Sequence, residues 1–283
     1  MAMRSAALET PSCGKTARDE NFPVGSLLLP ARLRPHVRAF YAFARAADDI
    51  ADSPALAPAD KIARLDRLAA AIGGADDGAA IETAARMRAS LEETAVPPRH
   101  CLDLLDAFRQ DATKRRYGDW DDLMAYCMRS AAPVGRYLLD LHGEGAALYP
   151  LSDALCNALQ VLNHLQDCAA DHRELDRVYI PETWLDAEGT GVEALAAARC
   201  DPALRRVLDR ILDGVDDLLA AAAPLAAALA SRRLAMEAAA IHAVARKLSA
   251  LLRRRDPLAA RVRLGRPAYA SCIAEGIWKG LVR

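Results

Sequence analysis

The chain has 283 residues, of which 53% are hydrophobic and 27% charged, and 37 Lys and Arg against 38 Asp and Glu leave a formal net charge of −1. This composition excludes a disordered chain and suits a globular one with a sizeable core. The balanced charge gives no support for a nucleic-acid partner, which usually calls for a basic surplus or patch.

Residues 1–20 show no sustained period and read as a loose tail, leaving 21–283 as a single helical domain. From Arg32 onward Ala, Leu and Arg dominate, all strong helix formers. Runs of Val, Ile and Thr with a period of two are absent, so no strand is expected and the fold class is all-α. Helices are predicted over 32–52, 59–72, 79–95, 98–115, 120–131, 134–142, 151–175, 192–199, 202–222, 225–254 and 267–281. Ser53-Pro54, Gly73-Gly74, Pro97-Pro98 and a series of later prolines punctuate them.

The longest apolar run, Leu218 to Ala230, is interrupted by Pro224 and falls short of the ~20 residues a spanning helix needs. No signal segment opens the sequence. The seven cysteines form no CxxC pair and cannot all pair within one chain, so they read as reduced core thiols of a cytoplasmic protein.

Two acidic clusters lie inside apolar helical stretches. In Asp48-Asp49-Ile50-Ala51-Asp52, Asp48 and Asp52 are four apart and share a helix face. Like charges at that spacing repel, and a helix C-terminus also disfavours anions, so the site calls for a compensating cation. In the second cluster Asn163, Asp167 and Asp171 recur every four residues, with Gln160 on the same face and Leu159, Leu162 and Leu165 beside it. Each cluster by itself reads equally as a solvated helix face. Packed against one another, the two would be untenable without a counter-charge. Carboxylates and amides are hard donors suited to Mg²⁺, which takes one or two carboxylates and completes its shell with water and phosphate. The residues therefore point to a diphosphate held between two helices by Mg²⁺, with Arg45 in reach of the same phosphate.

Other motifs carry nothing. Gly14-Lys15-Thr16 and Gly189-x-Gly191-x-x-Ala194 lack the preceding strand that a phosphate loop or dinucleotide fold requires. No HExxH, no ExxH and no Gly-x-Ser-x-Gly elbow is present. His164 and His172, beside the acidic face, read as structural or as supports behind the ligands. Arg253-Arg254-Arg255 reads as a solvated helix end, with contact to anionic lipid as the alternative.

FYAFARAADDIAD at 40–52, YCMRSAAPVGRYLL at 126–139 and NHLQDCAADHRELDRVYIP at 163–181 together resemble the squalene and phytoene synthases. These are isoprenoid synthases with a helical bundle around a central cavity. The resemblance runs from about Asn21 to the end. It implies that Asp48, Asp52, Asp167 and Asp171 are catalytic and bind Mg²⁺–diphosphate together with Arg45. It places Tyr41, Asp49, Gln160, Asn163, Arg177 and Tyr179 around an isoprenoid diphosphate substrate.

NFPVGSLLLP at 21–30 and SAAPVGR at 130–136 are similar to the branch that forms hydroxysqualene from presqualene diphosphate in hopanoid biosynthesis. That branch expels diphosphate, traps the cation with water and uses no NADPH. Asp19 and Asn21 stand where the wider family carries paired serines, Met128 where it carries an aromatic residue, and Gln166 where it often carries arginine. Condensation of two farnesyl diphosphates is the neighbouring reading, and a silent helical scaffold binding lipid or a partner is the non-enzymatic one. Peripheral contact with the inner membrane face and hand-off to a downstream reductase are further expectations.

Overall fold

A computed structural model describes residues 28–74 and 82–282. The loose tail expected at 1–20 and most of the motif at 21–30 lie outside the described residues.

Prolines start many of the helices, because their fixed φ suits a first turn whose N–H has no partner. α1 (Arg34–Asp52), α2 (Pro58–Ile72), α6 (Ala132–Leu141), α7 (Tyr149–Ala170), α9 (Pro202–Ala222) and α12 (Arg266–Leu281) all carry one in that turn. Side-chain caps start others. Asp119 accepts from the Asp122 N–H at the head of α5 (Trp120–Ser130), and Asp201 accepts from the Leu204 N–H at the head of α9. α3 (Glu82–Thr94) and α4 (Arg99–Asp111) complete the first half.

Helix α7 is the axis of the bundle. Ala154, Leu155, Ala158, Val161, Leu162 and Leu165 are all buried along it, and α5, α6, α9 and α11 (Arg232–Leu252) pack around it. Each such leucine or valine contributes roughly 1.5–3 kcal/mol by leaving water. On the other side α1 packs on α2, α3 and α4 through Phe40, Phe43, Leu65, Met87 and Leu104. Gly135 lets α6 and α7 approach closely: a Cβ there would meet Ser152 Oγ and come within 2.7 Å of Cys156 Sγ. Gly276 does the same for α12, where a Cβ would lie 2.6 Å from that of Ala240.

Four expected boundaries differ. The single helix expected over 225–254 is two, α10 (Leu225–Ala228) and α11 (Arg232–Leu252). Ser231 caps α11 by accepting from Leu234, while Glu144 accepts from the Ala230 and Ser231 N–H groups at 3.0 and 2.7 Å. These bonds give the backbone of the break its partners. The helix expected to reach 115 ends at Asp111, because the following chain pairs in extended form with 178–182, through Val178 N–H to Arg115 O and Glu182 N–H to Tyr117 O, each at 2.9 Å. The long 151–175 helix loosens after Ala170 into a wide turn, Asp171–Leu175, closed by Asp176 in the left-handed region at φ 52°. Residues 192–199 form only a short tight turn, Val192–Ala196, and a helix not expected from the sequence, α8 (Glu182–Ala187), follows Pro181.

Among the described residues no helix is long and apolar enough to cross a membrane. The six described cysteines are unpaired, and burial pushes the Cys101 and Cys168 thiols up to about 12.

Candidate active site

The ends of α1 and α7 meet at one end of a cavity of 370 Å³. Its walls are apolar where Phe40, Val134, Leu138, Leu159 and Ile241 line it, and its polar end gathers the two acidic clusters. Of the site residues expected from the sequence, Tyr41, Arg45, Asp48, Asp52, Gln160, Asn163, Asp167, Asp171, Arg177 and Tyr179 all line this cavity. Asp49 does not. It lies behind, where its carboxylate accepts from Arg45 Nη2 at 2.7 Å. Burial raises its pKa, and the Arg45 charge and hydrogen bond oppose that shift.

The compensating charge at the α1 C-terminus comes from three residues. Arg45 bridges Asp48 and Asp49, each at 2.7 Å. Arg177, buried at 7% side-chain exposure, donates to Asp52 at 2.6 Å and to the Ala51 carbonyl at 2.9 Å. Lys61 reaches the same carbonyl from α2 at 2.8 Å. These cations sit where the helix dipole is negative, so they offset both penalties of the acidic end. Burial works against the Arg177 charge, but Tyr179, Asp111 and Asp52 outweigh it and hold the guanidinium above its ordinary pKa.

Across the cavity Arg261 donates from Nη2 to Asp167 Oδ2 at 2.9 Å, and its Nε lies 2.8 Å from Oδ1 as an ion pair without a hydrogen bond. A guanidinium also suits phosphate oxygens. Arg261 lies in the irregular segment after α11, where no periodicity marks it. The neighbouring Val262 carbonyl accepts from the buried amide of Gln166. So where the family pattern carries arginine, this chain has a glutamine that pins the segment supplying Arg261.

A second polar group lines the cavity beside Arg177. Asp111 is 6% exposed and accepts from Tyr126 at 2.7 Å and from Tyr179 at 3.1 Å. Burial pushes its pKa up to about 6 against the opposing charge of Arg177. His164 stacks on Tyr179 with ring centroids 3.6 Å apart. Burial, with the Arg177 charge second, pushes its pKa down to about 3, so the ring is neutral near pH 7. Sequence reasoning missed Asp111; the signal that could have found it is an acid on the helix face of the buried Leu104 and Ala107. His164, expected to be structural or a support behind the ligands, lines the cavity.

Among the described residues no three His, Cys, Asp or Glu side chains converge closely enough to hold a metal on protein ligands alone. The donors present are carboxylates at the ends of two helices, three of them, Asp48, Asp52 and Asp167, paired with a guanidinium. That set fits a hard cation sharing its shell with phosphate rather than a closed protein site.

An all-helical bundle with paired aspartate clusters over an apolar cavity is the architecture of an isoprenoid synthase. The chain belongs to the squalene/phytoene synthase family, whose profile it matches over residues 15–268. It is 47% identical over 251 residues to the hydroxysqualene synthase of Rhodopseudomonas palustris, covering 89% of this chain and 85% of that one. It is 45% identical over 247 residues to the enzyme of the same name from Sinorhizobium fredii, covering 87% and 84%. Among solved structures, squalene synthase HpnC from Alicyclobacillus acidocaldarius superposes with a TM-score of 0.73 at 33% identity, covering 82% of this chain and 87% of that one. A dehydrosqualene synthase superposes at 0.80 with 20% identity over 93% and 92%, which shows the shared fold.

Proposed function

We propose that this protein converts presqualene diphosphate to hydroxysqualene, with loss of diphosphate and capture of the cation by water, using Mg²⁺. The observation that carries the reading is one cavity with an arginine- and aspartate-lined end and apolar walls. The relatives named hydroxysqualene synthase support it.

Asp48, Asp52, Asp167 and Asp171 are the residues that would hold the metal, which when bound would neutralise charge on a diphosphate. Arg45, Arg177 and Arg261 each sit on one of these carboxylates or its neighbour, which places their positive charge beside the diphosphate they would meet. As the C–O bond breaks, these fixed positive groups stabilise the charge that develops. The apolar walls then exclude bulk water from the cation, and the neutral His164 ring adds no opposing charge.

The test is a product assay by liquid chromatography and mass spectrometry with Mg²⁺ and no NADPH. Hydroxysqualene from presqualene diphosphate, with no product from farnesyl diphosphate, is the expected result. Presqualene diphosphate made from farnesyl diphosphate would replace this reading with the condensing one. Neither product, with no thermal stabilisation by Mg²⁺ and diphosphate, would favour the silent scaffold.

A product so apolar calls for delivery to a lipid surface at the cytoplasmic face, and a reductase is the class of enzyme that would take it next. Trp278, Leu281 and Val282, at the end of α12 beside Lys279, support a peripheral contact, being 67%, 61% and 64% exposed. The basic run at 253–255 supports it less, since Arg253 is held by Asp213 and Asp216.

A further inference from the structure

The proposed reaction needs a water held against a cation and a group to take its proton. At the polar end of the cavity the carboxylates of Asp48, Asp52 and Asp167 are gripped by arginines. Asp111 is placed differently. Its two oxygens accept from two phenols, Tyr126 at 2.7 Å and Tyr179 at 3.1 Å, and all three residues line the cavity.

A phenol has a single hydrogen, so with both hydrogens spent on Asp111 the two oxygens have only lone pairs left for the cavity. A water there can only donate to them, which leaves its own lone pairs directed away, toward a cation. The rings cannot swing out of this arrangement. Tyr126 and Tyr179 lie 5.4 Å apart by centroid, Tyr117 packs against both at 5.3 and 5.4 Å, and His164 covers Tyr179.

We infer that Asp111 is a positioning residue that ends a proton relay running from the trapping water through the Tyr126 hydroxyl. The inference rests on the proposed function. In the step, a lone pair of the water oxygen forms the new C–O bond to the cation. One water O–H bond breaks as its proton passes to the Tyr126 oxygen, and the Tyr126 proton passes to the Asp111 carboxylate. The diphosphate has already left with its electron pair, and the carboxyl returns its proton to solvent before the next turnover. Without the relay the same cation loses a proton of its own and ends as a hydrocarbon.

The experiment measures the ratio of hydroxysqualene to unsaturated hydrocarbon formed from presqualene diphosphate and Mg²⁺. A ratio is independent of how much active protein survives a substitution. Asp111→Asn and Tyr126→Phe should each lower it at least tenfold. Tyr117→Phe, which removes a hydroxyl bonded to Gln110 and not to Asp111, should leave it unchanged. Wild-type ratios in both Asp111→Asn and Tyr126→Phe would overturn the relay. Should Asp111→Asn give no folded protein, Tyr126→Phe decides by the same criterion. A collapse of the ratio in Glu237→Gln with no change in Asp111→Asn would also overturn it and move proton removal to that other cavity carboxylate. If the wild-type protein makes no hydroxysqualene, the proposed function itself fails; if it does and the variants match it, only the relay fails.

Discussion

Replacing Arg177 with glutamine tests whether one buried guanidinium holds the end of α1 against the cavity. The side chain is 7% exposed and makes two charge-assisted bonds, to Asp52 at 2.6 Å and to the Ala51 carbonyl at 2.9 Å. Breaking a buried pair from one side costs about 3–5 kcal/mol. Asp52 keeps 20% of its side-chain surface in water and can rehydrate, and Lys61 still covers the Ala51 carbonyl, so the cost falls below that range, to roughly 2–3 kcal/mol. At roughly 2–4 °C per kcal/mol for a domain of this size class, the melting temperature of Arg177→Gln should fall by about 4–12 °C. Calorimetric unfolding at pH 7 and moderate salt reads this directly. Titrating Mg²⁺ with diphosphate into the same samples should stabilise the wild type and stabilise the variant much less. A melting temperature within about 1 °C of wild type would refute the reasoning, since it would mean that neither bond matters in the folded protein.

Asp167→Asn keeps the shape of the Arg261 partner but loses the charge proposed to hold the metal; turnover, followed by diphosphate release, should fall about 10²-fold or more with the circular dichroism spectrum unchanged. Near wild-type turnover would mean the two-cluster arrangement is not the reaction centre. Asp111 has its folded pKa raised from 3.8 to about 6, so it stabilises the fold fully below the unfolded value and that contribution is lost as pH rises through 6. Denaturant titrations should show wild type losing up to about 3 kcal/mol relative to Asp111→Asn between pH 4 and pH 6.5, and a pH-independent difference would contradict the burial argument. Gly135→Ala should cost about 1–3 kcal/mol by forcing Ser152 and Cys156 apart from α6, read as a lowered denaturant midpoint; an unchanged midpoint would show that the α6–α7 approach has slack.

The all-helical class, the helix starts at proline and the acidic faces of α1 and α7 were legible in the sequence because each is a local property. A proline acts on its own turn, and an aspartate every four residues lies on one face wherever the helix ends up. The need for a cation at the end of α1 followed from like charges and the helix dipole alone. The break at 229–231 was half legible: Ser231 is an ordinary helix cap, but the bonds that complete the break come from Glu144, far away in sequence. The resemblance to the family implied Asp48, Asp52, Asp167 and Asp171 around a metal and Asp49 beside the substrate; the first four line the cavity, and Asp49 pairs with Arg45 outside its lining.

What only the tertiary structure decided is which groups meet. Arg261 reaches Asp167 across 94 positions and Arg177 reaches Asp52 across 125, and no periodicity encodes either approach. Nothing in the sequence analysis singled out Asp111; it becomes a shared acceptor only when α5 and the segment after α7 bring Tyr126 and Tyr179 to it. The sequence by itself determined the helices and the charged faces they carry, because those depend on spacing along one element. The partners that neutralise those charges, and the cavity they enclose, depend on how distant elements pack, which is settled only when the whole core closes.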